Sequence, residues 1–208
     1  MDVGLAKAWM QAVAVMMDKN KDHLTQLDAA IGDGDHGANM HRGFTAVTTA
    51  LAAGQFTNAG EVLVKAGSTL VSTVGGASGP LYGSAFRAIG KELSGPNANA
   101  KQLAAALTAG LDSIKKLGAA APGDKTIVDA YGPAVTALTD AAKMGATLAA
   151  ATTKAATAAE TGMKATIPMV ARKGRASYLG PRSAGHQDPG ATSTTLIFRA
   201  LADVCAGK

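Results

Sequence analysis

The chain has 208 residues, of which 47% are hydrophobic and 4% aromatic, with a formal net charge of +5. That length supports one sizeable core, and with no run of eighteen apolar residues and an aspartate at position 2, where a secretory leader wants basic residues, we expect a soluble cytoplasmic protein with no membrane partner. The positive balance raises nucleic acid as a partner, but the densest basic run, residues 171–182, holds four cations and aromatic stacking platforms are scarce, so nucleic-acid binding is set aside.

Alanine, leucine, methionine and lysine dominate, and no alternating β-branched segment appears, so the chain reads as all-α and as a single domain, 1–208. Helices are expected at about 3–19, 23–30, 40–52, 59–74, 79–93, 100–117, 126–142, 146–171 and 191–206. In the first, Trp9, Val13 and Met16 recur at spacings of four and three, which predicts one buried stripe. In the sixth, Leu103, Leu107, Leu111 and Ile114 do the same. The lone cysteine, Cys205, lies in an apolar C-terminal stretch and is expected to be buried as a small hydrophobe. Glycine clusters fall between helices, at 32–37, 75–79, 118–123 and 185–190. In an antiparallel bundle alternate connections lie on the same side, so these four loops would gather at one end.

The first cluster, DAAIGDGDHGANM (28–40), concentrates Asp28, Asp33 and Asp35 on a flexible backbone. Like charges so close call for a cation, and oxygen-only ligands favour magnesium or calcium over zinc. The calcium-loop template fails: counting from Asp33, Gly37, Ala38 and Phe44 stand where it needs an oxygen ligand, a glycine and a glutamate. Magnesium remains, and it commonly shares its shell with phosphate. An aspartate–glycine turn before a capped helix is the competing reading. In GGASGPLYGSAF (75–86), Ser78 reads as the N-cap of a helix whose start could hold phosphate on backbone N–H groups, with Gly79 as a further contact, although close helix packing also uses small residues. GAAAPGDKT (118–126) approaches a P-loop and fails it, because Asp124 separates Gly123 from Lys125 and a helix precedes it. Lys125 and Thr126 could still hold one anion, or form an ordinary turn. The last cluster joins Arg175 and Arg182 to His186 and an Asp188–Pro189–Gly190 turn. Arginine suits bidentate phosphate contacts, but a solvated basic loop is the commoner case. His36, His41 and His186 form no recognisable catalytic triad.

Taken together, LDAAIGDGDHGANM, GGASGPLYG, PGDKTIVDA and KGRASYLGPRSAGHQDPGA resemble the motifs of the nucleotide-binding L subunit family of dihydroxyacetone kinases, in order and over nearly the whole chain. The resemblance implies a barrel of about eight antiparallel amphipathic helices, with the nucleotide site in loops at one end. Asp28, Asp33 and Asp35 would hold two magnesium ions bridging the phosphates of ADP or ATP. His36, Gly37, Ala38, Asn39, Ala77 and Ser78 would line the phosphates, while Gly118, Ile127, Arg175, Asp188, Pro189 and Gly190 would surround the rest of the nucleotide. The length leaves no room for a substrate domain, so dihydroxyacetone would be held by a partner kinase subunit. Recharging of retained ADP would fall to a phosphohistidine protein of the phosphoenolpyruvate phosphotransferase system, and a homodimer is compatible with this scheme. Two alternatives stand beside it: an ATP-dependent kinase subunit with exchanging nucleotide, and a nucleotide-dependent regulatory adaptor.

Overall fold

The computed structural model describes residues 1–207, and among these all regular structure is helical. The helices are α1 (Val3–Lys19), α2 (Lys21–Ile31), α3 (His36–Ala52), α4 (Ala59–Thr73), α5 (Ser78–Glu92), α6 (Ala100–Gly118), α7 (Ile127–Lys143), α8 (Leu148–Ala165) and α9 (Pro189–Cys205), with a 3-10 segment at Arg175–Ser183. Local chemistry starts most of them. Asp2, Asn58, Thr147 and Asp188 accept from the first turns of α1, α4, α8 and α9. Asn99 with Gln102, and Thr126 with Asp129, form reciprocal capping boxes on α6 and α7.

Eight helices close a ring: α1 packs on α3, each helix from α3 to α8 packs on the next, and α9 returns to α1. The extra helix, α2, lies outside the ring against α3 and α9. The interior is filled by the stripes read from sequence. Trp9 and Val13 are buried, as are Leu103, Leu107, Leu111 and Ile114. Trp9 meets Phe86 with ring centroids 5.5 Å apart, and Tyr131 meets Phe198 edge-on at 5.0 Å. Met16, the third residue of the first stripe, is only half-buried; Met17 takes the core position instead. Cys205 is half-buried at the edge of the core rather than enclosed.

The tightest seam is α4 against α5, where glycines face one another in reciprocal pairs. A Cβ on Gly67 would lie 2.5 Å from the Gly83 carbonyl oxygen, and one on Gly83 would lie 2.7 Å from that of Gly67; Gly60 and Gly90 repeat the arrangement. Backbone meets backbone here, which only glycine permits.

Two boundaries differ from the sequence expectation with functional effect. Helix α3 begins at His36 instead of residue 40, because Asp28 reaches over from α2 and its Oδ2 accepts from the backbone N–H groups of Asp35 (2.9 Å) and His36 (3.1 Å). Helix α8 stops at Ala165, well short of residue 171, since Pro168 cannot continue it. The 23-residue connection that follows, 166–188, folds into a compact segment containing the 3-10 helix.

Candidate functional site

The alternate connections α2–α3, α4–α5, α6–α7 and α8–α9 converge on one cleft of about 260 Å³ at one end of the ring. The expectation that the four glycine-bearing loops share an end is met. On one wall stand the acids: one carboxylate oxygen from each of Asp28, Asp33 and Asp35 lies within 4.8 Å of the others. Asp28 is buried while the other two are exposed. Because Asp28 Oδ2 is taken by the start of α3, that hydrogen bonding fixes the loop and leaves Oδ1 for another partner. Arg175, from the 3-10 segment, reaches across with one guanidinium nitrogen 2.8 Å from Asp33 Oδ2. Both side chains are partly exposed, so the pair places charge more than it stabilises the fold.

The cleft is also lined by the loop Gly75–Gly76–Ala77 and the first turn of α5. Gly76 has φ +64°, and a Cβ there would meet nothing, so its backbone faces open space. Ser78 does not cap α5, as its sequence position led us to expect. Its hydroxyl lies 3.1 Å from His36 Nδ1, and His36 Nε2 lies 2.9 Å from the hydroxyl of Ser193 on α9. Ser193 in turn meets the Tyr82 hydroxyl at 2.7 Å, which also reaches Thr194 Oγ1 at 2.8 Å and donates to the Gly190 carbonyl at 3.0 Å. One buried polar chain therefore links the starts of α3, α5 and α9. Burial lowers the pKa of His36 against the opposing pull of Asp28 and Asp35, favouring a neutral imidazole.

The third wall corrects the reading of Lys125 as a phosphate contact. Its ammonium donates to the carbonyls of Thr166, Met169, Ser183 and His186, at 2.5 to 3.1 Å. Three N–H donors facing four carbonyls leave none for an anion. Thr126 differs: its N–H donates to Asp129 and its hydroxyl oxygen accepts from Val128, but its O–H is not used in either bond. Asp188 is buried at the start of α9, where its Oδ2 accepts from Ala191 N at 2.7 Å. Burial, aided by Asp129, pushes its carboxyl up to about 7 despite that hydrogen bond and the nearby Lys125.

Of the sequence-derived candidates, Asp28, Asp33, Asp35, His36, Ala77, Ser78, Gly118, Lys125, Thr126, Ile127, Arg175, Asp188, Pro189 and Gly190 line the cleft. Gly37, Ala38, Asn39 and Gly79 do not form its lining. A Cβ on Gly37 would strike the Lys21 carbonyl on α2, and one on Gly79 the Val74 carbonyl, so both glycines serve close packing. Asn39 Oδ1 accepts from Arg42, which also donates to the Thr73 carbonyl and braces the end of α4. Sequence reasoning missed the apolar side of the cleft, formed by Ile31, Leu81, Ile114 and Val128 beside Ile127. These residues read as ordinary core positions, and nothing in their spacing marks them as lining a cleft.

A family model described as the DAK2 domain matches residues 30–203. The chain is 42% identical over 195 residues to the PEP-dependent dihydroxyacetone kinase ADP-binding subunit DhaL of Escherichia coli, covering 93% of each. It is 42% identical over 199 residues to the PTS-dependent counterpart of Lactococcus lactis, covering 95% of each. A crystal structure of the dihydroxyacetone kinase from C. freundii in complex with AMP-PNP and Mg2+ superposes with a TM-score of 0.76 at 28% identity, over 98% of this chain and 34% of that one. With the family model spanning most of its length and full-length relatives at this identity, the chain belongs to the DAK2 domain family, alongside the DhaL subunits of dihydroxyacetone kinase.

Proposed function

We propose that this protein is the ADP- and ATP-binding subunit of a dihydroxyacetone kinase, which presents the nucleotide to dihydroxyacetone held on a partner subunit. The observation that carries the reading is the meeting of two features in one cleft: three converging carboxylates, and a glycine loop leading into a helix start. Hard oxygen donors this close suit magnesium, and we assign Asp28, Asp33 and Asp35 as its ligands, for two ions. When bound, magnesium supplies the positive charge that lets carboxylates and phosphates share the cleft. The chain's own residues do the rest. The backbone of Gly75 to Ser78 receives phosphate oxygens at the positive end of α5. Neutral His36 holds the Ser78 hydroxyl at that wall. Arg175, now beside Asp33, stands within the same cleft to meet phosphate charge. Ile31, Leu81, Ile114, Ile127 and Val128 offer the apolar surface that a nucleobase needs.

Catalysis by such a site is positioning and electrostatic stabilisation of the phosphoryl group in transfer. The full-length match to separate subunits, named PEP- or PTS-dependent in two bacteria, supports recharging of bound ADP by a phosphohistidine protein of the phosphotransferase system. In the test, the purified chain is mixed with ATP, magnesium and dihydroxyacetone, with and without a dihydroxyacetone-binding subunit. Dihydroxyacetone phosphate should form only with that subunit, in one turnover per bound nucleotide, and further turnover should require the phosphohistidine donor. Formation by this chain alone would reject the partner requirement. Sustained turnover on excess ATP without the donor would reject recharging in place.

A further inference from the structure

We infer that Lys125 is a positioning residue: it acts as a built-in cation around which the 166–188 connection folds, and it thereby sets where Arg175 stands over the cleft. The four carbonyls that converge on its Nζ come from both ends of that connection, Thr166 and Met169 at the start, Ser183 and His186 near the finish. Four carbonyl dipoles aimed at one point repel one another unless a positive charge sits there. No helix or sheet otherwise ties the two ends, and the ammonium closes them into a loop with Arg175 between them. Lys125 is 1% exposed, an unusual burial for a lysine. It also adopts φ +62°, a left-handed backbone that few non-glycine residues take. Both costs are consistent with a side chain held for what it organises.

Three further bonds accompany the clamp, one tying the connection to the α6–α7 loop and two closing the connection on itself. Arg172 N donates to the Asp124 carbonyl, immediately before Lys125; Ala171 N donates to Ser183 Oγ; Gly185 N donates to the Ile167 carbonyl. From this connection Arg175 extends to Asp33 at 2.8 Å, and Asp188 leads into α9 with its N–H on Thr166 Oγ1. A change at Lys125 therefore reaches the cleft through Arg175, while its own ammonium is engaged by the four carbonyls.

The binding part of this inference rests on the proposed nucleotide function, and the clamp itself does not. Lys125→Met keeps the length of the side chain and removes its charge and donors. In the ligand-free protein, amide hydrogen exchange at Ala171, Arg172 and Gly185 should accelerate at least tenfold, with the α4–α5 seam unchanged. Unchanged exchange there, or equal acceleration throughout, would overturn the clamp. For the link to Arg175, affinity for ADP with magnesium is measured by calorimetry in wild type, K125M, R175A and the double variant. K125M should weaken binding about tenfold in the wild-type background and less than about threefold in the R175A background, because the two act as one. Equal losses in both backgrounds would reject action through Arg175. Should K125M fail to fold, Lys125→Gln retains two N–H donors and should give the same pattern at reduced size, and its absence would be equally contrary. A wild type that binds no ADP would refute the functional reading and leave the exchange result to decide the clamp.

Discussion

Replacing Gly67 by alanine probes whether α4 and α5 touch backbone to backbone. On an isolated helix the change is favourable, by about 1 kcal/mol. Here the added Cβ would lie 2.5 Å from the Gly83 carbonyl oxygen and 2.8 Å from Arg87 N, against 3.4 Å for the onset of ordinary contact. The helices would have to part by roughly 0.9 Å, the difference between the two distances. Arg87 Cγ, at 2.8 Å, can swing aside, but the two backbone atoms cannot. Overpacking a dense interior costs about 1–3 kcal/mol, and a backbone obstacle belongs at the upper end. After the helix-propensity gain, a net loss of about 2 kcal/mol remains, or roughly 4–8 °C in melting temperature for a chain of this size. Gly4→Ala supplies the control, since its Cβ would meet only Asp2 Oδ1 at 3.5 Å in the exposed first turn of α1. Thermal unfolding followed by circular dichroism should place Gly67→Ala well below wild type and Gly4→Ala at or slightly above it. A Gly67→Ala protein as stable as Gly4→Ala would refute the close seam.

Asp188 gives the ligand-free protein a defined pH dependence. Its carboxyl is raised to about 7 in the fold, so between about pH 4 and 7 the folded state binds more protons than the unfolded one, and this group's contribution to stability declines as pH rises. Asp188→Asn should flatten that decline in urea unfolding compared at about pH 5 and pH 8; an unchanged slope would contradict the assignment. Tyr82→Phe removes the hydroxyl that meets Ser193, Thr194 and the Gly190 carbonyl, and should cost about 1–2 kcal/mol in the same assay while the far-ultraviolet spectrum stays helical. Unaltered stability would show that the buried chain does not depend on that hydroxyl.

The helical ring was legible because its signals are local: a stripe such as Leu103, Leu107, Leu111 and Ile114 declares its buried face, and Asn99 or Thr126 declares a helix start. The gathering of the glycine loops was legible too, from alternation alone. What escaped depends on how the chain brings partners together in space, most of them distant in sequence. Ser78 looked like a cap, but His36, 42 residues away, takes its hydroxyl. Lys125 looked like a phosphate ligand because nothing beside it in sequence shows the four carbonyls, 41 to 61 residues further on, that surround its ammonium. The early start of α3 was missed although Asp28 lies in the same stretch as His36, because the sequence does not show the chain turning back to bring its carboxylate onto that N–H. The glycines of 37 and 79 were read toward a ligand when each faces a neighbouring backbone instead.

The central claim, that the three aspartates form the metal half of a nucleotide site, is tested most directly by titrating ADP into nucleotide-stripped protein in a calorimeter, with magnesium and with a chelator. Wild type should bind ADP only with magnesium, and Asp33→Ala and Asp35→Ala should each abolish that binding while remaining helical by circular dichroism. Binding of equal strength in the chelator, or in either variant with magnesium present, would contradict it.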